Sequence, residues 1–340
     1  MSILYFFESI RNPVLDAVML ALTKLAEEYV FIVAALLFFW CINKKNGYYM
    51  ITVGLVGITL NQWLKMLFRV PRPWVLDPNF KAVEAATPAA NDFSFPSGHT
   101  QNAVGTYGSI ARFTKYKWLR IVGIVLAVLI PISRLYLGVH TPLDVGVSFV
   151  IGTVLVLIMY PLIKKTDEKP WILGVIFGIC SVLMIGFLVF TYIRPFEVTE
   201  VWQKECIDGA MTNVSKMLGA TLGILVAWFV DSKYIKFETA APWYVQITKV
   251  VFGVGVVFGL KSFFKMALFA LLGDGSIPAL IIEYFLVVIV AALLFPMTFK
   301  PLNKLFAKYL KKYICRFNYQ LQNFNNLTCN FIIAPNIQSK

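Results

Sequence analysis

The chain is poor in charge. Only 14% of its 340 residues are Asp, Glu, Lys or Arg, where a soluble domain carries about a quarter. That shortage, with 59% hydrophobic residues, excludes a soluble domain and predicts an integral membrane protein. Cysteine is sparse as well: Cys41, Cys180, Cys206, Cys315 and Cys329 show no CxxC pairing and no regular spacing, so neither a disulfide framework nor a zinc site is expected. Met1 to Glu8 lacks a basic n-region and a small-residue cleavage site, so it does not read as a cleaved signal peptide. The net charge of +13 does not point to nucleic acid, because Lys and Arg sit in short loops between apolar runs. Histidine is scarcest of all. The chain has 2, His99 and His140, and each lies in a polar cluster at the end of an apolar run.

What is present is a series of long apolar segments. At roughly 20 residues per bilayer crossing, they predict an all-α, polytopic helix bundle of about nine spans: 17–42, 48–69, 99–113, 118–135, 142–163, 171–193, 211–231, 246–272 and 277–298. Residues 1–14 read as an amphipathic interfacial segment ending near Asn12-Pro13. One set of loops carries Lys44, Lys45, Arg112, Lys115, Lys117, Arg120, Lys164, Lys165 and Lys169, joined by the C-terminal Lys300 to Arg316; the alternate set carries Asp77, Glu84, Asp92, Glu197, Glu200, Glu205, Asp208 and Asp274. The positive-inside bias then places the N-terminus outside and the C-terminus in the cytoplasm. Residues 317–340, rich in Asn and Gln, read as a poorly ordered tail. The Asn326-Leu327-Thr328 acceptor falls on the cytoplasmic side and is discounted.

Three polar clusters fall on the opposite, extracytoplasmic side. Lys65 and Arg72 are seven residues apart, two helical turns, which predicts a shared face at the end of the second span; Arg69 either joins them or snorkels to the interface. Pro71 and Pro73 end that helix. Pro96-Ser97-Gly98-His99 opens the third span, where backbone N–H groups attract anions and a glycine admits a ligand closely. Ser97 is either a phosphate contact or only an N-cap. Arg134 closes the fourth span and His140 follows. Thr141-Pro142 reads as N-cap and N1 of the fifth, with Asp144 positioned either to orient His140 or to complete a capping box. Fixed cations beside two proton-carrying rings predict acid-base or nucleophilic chemistry on an anionic substrate. No metal and no other cofactor is expected beside so many cations.

Lys65-x6-Arg72-Pro73, Pro96-Ser97-Gly98-His99 and Ser133-Arg134-x5-His140-x3-Asp144 together resemble the three-part signature of the type 2 phosphatidic acid phosphatase superfamily, across roughly residues 10–165. That superfamily holds lipid phosphate phosphatases, undecaprenyl-diphosphate phosphatases, glucose-6-phosphatases and soluble vanadium haloperoxidases. The resemblance implies His140 as a nucleophile forming a phosphohistidine, Asp144 as its orienting partner, and His99 as the proton donor to the leaving group. It implies Lys65, Arg72, Ser97, Gly98 and Arg134 as the phosphate-binding set. The expected partners are the bilayer and a phosphorylated lipid, with no nucleic acid, in a bacterial inner membrane with the site facing outward. Sugar-phosphate hydrolysis is the alternative within the superfamily and a membrane transporter the alternative outside it.

The expected organisation is a catalytic bundle over 1–165, added transmembrane helices over 166–312 and the tail over 313–340. Nine spans resemble the layout of glucose-6-phosphatases and sphingosine-phosphate phosphatases. Lys216, Lys261, Lys265 and Glu283 lie at membrane depth in the added region. Pairing of Lys261 with Glu283 is one reading, and headgroup selection is the other.

Overall fold

A computed structural model describes residues 1–306 apart from 89, 91 and 195, and no strand occurs among them. The expected tail, with Asn326-Leu327-Thr328, lies outside the described residues. The helices that matter here are α1 (Ser2–Ser9), α2 (Pro13–Lys24), α3 (Glu28–Leu37), α4 (Lys44–Phe68), α5 (Pro73–Leu76), α6 (Gly98–Ala103), α7 (Lys117–Tyr136), α8 (Pro142–Lys164), α9 (Trp171–Ile193), α10 (Val201–Val230), α11 (Trp243–Leu272) and α12 (Ile277–Ile289). Their starts are written locally. Asn12 accepts from Leu15 N ahead of Pro13 at N1, Asn43 accepts from Asn46 N, and Thr141 with Asp144 forms a capping box around Pro142. Each satisfies backbone donors that a helix start leaves unpaired.

Among the described residues, 7 helices are long and apolar enough to cross a membrane, or 8 if one bent pair counts as a span. That pair is the expected first span. It is Pro13–Lys24 and Glu28–Ile42, bent by 46°. The break is held open from outside: Tyr107 Oη donates to Leu25 O at 2.9 Å and Asn102 Nδ2 to Ala26 O at 2.6 Å, so carbonyls freed at the bend find partners. The expected third span, from α6 on to Phe113, is about 24 Å long at the usual helical rise, short of a full crossing.

The bundle has two chemically distinct ends. At one, Lys45 Nζ donates to Lys164 O at 3.0 Å and Lys44 pairs with Asp231, joining the start of α4 to the ends of α8 and α10. A core of Phe39, Trp40, Tyr48, Tyr49, Phe237, Phe295 and Phe299 fills this half. At the other end lie the end of α4, the end of α7, the starts of α6 and α8, and the 77–97 loop. Here α1 closes against the bundle, with Leu4 buried, the Phe7 ring 6.1 Å from that of Tyr136, and Arg11 Nε donating to Tyr136 O at 3.1 Å.

The added helices pack by backbone approach. A Cβ on Gly219 of α10 would sit 2.2 Å from Ile281 O of α12, and one on Gly223 would sit 2.9 Å from Phe285 O. Small residues permit this contact where no water is present to drive association. The expected Lys261–Glu283 ion pair does not form: the Lys261 ammonium lies over the rings of Tyr29 at 5.3 Å and Tyr284 at 5.1 Å, while Glu283 is buried. Aromatic faces recruited from α3 and α12 replace the carboxylate as its partner.

Candidate active site

Lys65 and Arg72 do meet, but not by sharing a helix face. The α4 helix stops at Phe68, and Arg69 turns left-handed with φ 46°. Its guanidinium moves away to lie 5.1 Å over the Phe196 ring. Beyond that turn Arg72, N-cap of α5, contacts the same loop carboxylate as Lys65. Both contact Asp92, from the 77–97 loop. Its carboxylate pairs with Arg72 and lies 3.3 Å from Lys65 Nζ. The loop backbone is bound by the same cations: Arg72 Nε donates to Asp92 O at 2.8 Å, and Lys65 Nζ to Phe93 O.

Arg72 also reaches the histidine loop. Its Nη1 donates to Val139 O at 2.8 Å and approaches His140 Nε2 at 3.1 Å. On the other side of the ring, Asp144 Oδ2 is 3.7 Å from His140 Nδ1, too far for direct bonding. Ser94 fills the gap: its hydroxyl donates to Asp144 Oδ2 at 2.6 Å and lies 3.5 Å from His140 Nδ1. The same Asp144 oxygen accepts Thr141 N at 2.7 Å, closing the capping box. The capping box anticipated for Asp144 is present, and the contact of its carboxylate toward the ring runs through Ser94. Arg72 Nη1 also lies 3.4 Å from His140 Nδ1, so the guanidinium stands against both ring nitrogens.

His140 and Asp144 are buried. Burial first, then the charges of Arg72, Arg134 and Lys65, hold the His140 ring well below the ordinary histidine range. The ring is thus held toward its neutral form. Burial works against ionised Asp92, yet the charges of Lys65 and Arg72 outweigh it and hold its carboxyl below the ordinary carboxylate range.

Ser97 is fully buried and accepts from Thr100 N at 3.4 Å and Thr100 Oγ1 at 3.0 Å, so it does cap α6. Its own hydroxyl proton stays free to donate. Ser97 N donates to Asp144 O at 3.2 Å, tying α6 to α8. From α4, Asn61 Nδ2 donates to Pro96 O at 3.3 Å and to Gln101 Oε1 at 2.9 Å, which fixes the 96–98 turn. A Cβ on Gly98 would meet Asn61 Oδ1 at only 3.9 Å, so the protein itself does not crowd out a side chain there. His99 follows in the first turn of α6, within electrostatic reach of Arg134, Asp92, Arg72 and Lys65.

Arg134 is 1% exposed. Its Nη1 donates to Thr23 Oγ1 at 2.7 Å, but Nε and Nη2 are buried without a partner. Two unpaired guanidinium donors in a dry site are costly, and an oxyanion is the group that satisfies them. Among the described residues no group of His, Cys, Asp and Glu side chains is placed to hold a metal ion.

The chain matches the PAP2 superfamily over residues 45–168 and the PAP2 superfamily phosphatase transmembrane extension over residues 215–308. It is 34% identical to phosphatidylglycerophosphatase B of Bacillus subtilis over 47% of this chain and 79% of that protein. The chain belongs to the PAP2 superfamily. It is 35% identical to an undecaprenyl-diphosphatase of Sulfolobus acidocaldarius over 41% of this chain and 66% of the relative. It is 26% identical to a dihydrosphingosine 1-phosphate phosphatase of Schizosaccharomyces pombe over 79% of this chain and 67% of the relative. The chain thus spans about two thirds of the length of these last two proteins. No solved structure matches. Membership and relatives named as phosphatases support phosphatase activity by a multi-pass membrane PAP2 protein.

The geometry adds three residues that the sequence reading did not single out. Asn61 sits one helical turn before Lys65, so α4 periodicity carried its signal. Asp92 counted only as an outer-loop charge. Ser94 had no local signal, because its partner is 50 residues away.

Proposed function

We propose that this protein hydrolyses a phosphomonoester or diphosphate of a membrane lipid through a phosphohistidine, without a metal ion. The observation that carries the reading is the convergence of Arg72, neutral His140 and Ser94-bridged Asp144 beside the unpaired donors of buried Arg134. His140 Nε2 attacks phosphorus and forms a P–N bond as the P–O bond to the lipid breaks. Asp144, through Ser94, stabilises the charge that develops on the ring. His99 gives a proton to the departing oxygen, and the phosphate brings the negative charge that a protonated His99 needs among these cations. His99 then takes a proton from water, which attacks phosphorus, releases inorganic phosphate and frees His140. Lys65, Arg72, Arg134, Ser97 and the Gly98 N–H hold the oxygens where charge spreads.

The proposed layout is nine passes, counting the bent first pair and the short 98–113 segment as one pass each, with the N-terminus outside, the C-terminus in the cytoplasm and the site on the extracytoplasmic face. Supporting it, the site and the Lys44–Lys45–Lys164 cluster occupy opposite ends of the bundle. A catalytic unit over 1–165 and an added unit over 166–312 fit the two matched regions. Relatives named for undecaprenyl diphosphate, dihydrosphingosine 1-phosphate and phosphatidylglycerophosphate define the substrate panel. Purified protein with EDTA should release phosphate from at least one of these lipids, be inhibited by vanadate, and lose all release in His140→Ala. Full activity in that variant would sink the mechanism; glucose 6-phosphate hydrolysed in preference to every lipid would sink the lipid assignment.

A further inference from the structure

The phosphate-binding cations are already occupied by a carboxylate of the protein itself. Asp92 bridges Lys65 and Arg72, using both oxygens, one toward each cation. Of the three cations, Arg134 keeps buried donor atoms without any partner. We propose that Asp92 is a resident counter-anion of the phosphate site, which substrate must displace and which returns to the cations as inorganic phosphate leaves. This inference rests on the phosphatase reading above.

Charge matching supports it. Lys65, Arg72 and Arg134 oppose the single carboxylate of Asp144, a surplus that suits a phosphate monoester dianion. With Asp92 in place one of those charges is already neutralised, and a dianion would enter an over-filled anionic site of low dielectric. Asp92 is also built to move. Its side chain is 20% exposed, whereas those of Lys65 and Arg72 are 2% and 6% exposed. Nor do the cations depend on that carboxylate for their positions. Arg72 keeps Val139 O and Asp92 O, both at 2.8 Å, and Lys65 keeps Phe93 O. Departure of the carboxylate therefore leaves the cradle standing. Since Asp92 stays ionised at any working pH, only a competing anion releases it.

The test uses full-length protein in detergent and two ligands, orthophosphate by calorimetry and orthovanadate as an inhibitor of lipid phosphate hydrolysis. Asp92→Asn and Asp92→Ser should each bind both ligands about tenfold more tightly than wild type, because the entering anion no longer competes with a resident like charge. Asp92→Glu, which keeps the charge, should bind as weakly as wild type. The serine variant guards against a fold defect peculiar to asparagine. Unchanged or weaker binding in either neutral variant that folds overturns the proposal and makes Asp92 an organiser of the cations. Wild type indifferent to vanadate, with His140→Ala still active, would instead overturn the phosphatase reading.

Discussion

Arg72 Nη1 lies 3.1 Å from His140 Nε2, across 68 residues of sequence. One guanidinium thereby links the loop after α4 to the loop before α8, and it holds a positive charge against the ring proposed as the nucleophile. Arg72 spreads its donors over Asp92, Val139 and His140, a fork that an ammonium cannot reproduce. Arg72→Ala should lower kcat/KM by about 10²–10³-fold, the scale of losing one preorganised donor. Arg72→Lys should recover less than a tenth of that loss, as measured by phosphate release. Near wild-type activity in the lysine variant would reduce Arg72 to a point charge.

The acid side of the pH profile should reveal the same neighbourhood. Attack needs neutral His140, and burial with the cations keeps the ring neutral well below its ordinary value. The acid limb assigned to His140 in kcat/KM should therefore lie below about 6.5. Removing a cation raises the affinity of the ring for its proton, so Lys65→Met should move that limb to higher pH. The lipid phosphate titrates identically with both enzymes, so the difference between their profiles isolates the protein group. A limb that stays in place in Lys65→Met would mean that His140 does not set it.

Ser94→Ala separates orientation from binding. The hydroxyl connects Asp144 to the His140 ring but lies outside the cationic set. Losing a buried hydrogen bond of this kind costs about 1–3 kcal/mol. The expected outcome is a kcat reduced roughly tenfold or more, with KM and orthovanadate inhibition nearly unchanged. Weakened vanadate inhibition with an unchanged kcat would place Ser94 in the phosphate cradle instead.

The contrast between Lys65 and Arg72 shows where sequence reasoning stops. Thr141-Pro142 and Asp144 act on donors within a few residues, so the start of α8 was legible, whereas Asn12 opens α2 rather than ending the first segment and Asn43 opens α4 ahead of the expected residue 48. The polar clusters were legible for the same reason, as short motifs at helix ends. The left-handed turn at Arg69 was not, because seven-residue spacing assumes a continuing helix; the two side chains meet one loop carboxylate from either side of a helix break. Ser94 and Asp92 do their work across distances of 20 to 50 residues. Lys261 finds rings from α3 and α12 rather than Glu283. Each miss is a nonlocal contact, set by tertiary packing and carrying no periodicity.

The added helices invite a test of packing alone. A methyl group on Gly219 would lie 2.2 Å from the Ile281 carbonyl oxygen, a backbone atom that cannot rotate aside, whereas one on Gly146 of α8 meets nothing within 4 Å. Both glycines are helical, so an alanine gains similar backbone propensity at either position; the difference between the variants then reports the α10–α12 contact. Gly219→Ala should force these helices apart and destabilise the protein by about 1–3 kcal/mol. Gly146→Ala should be neutral or slightly stabilising. Thermal unfolding in detergent checks both. Because Gly219 lies in the extension and not at the candidate site, residual folded Gly219→Ala should retain vanadate inhibition; equal melting of the two variants would show that α10 and α12 do not approach so closely.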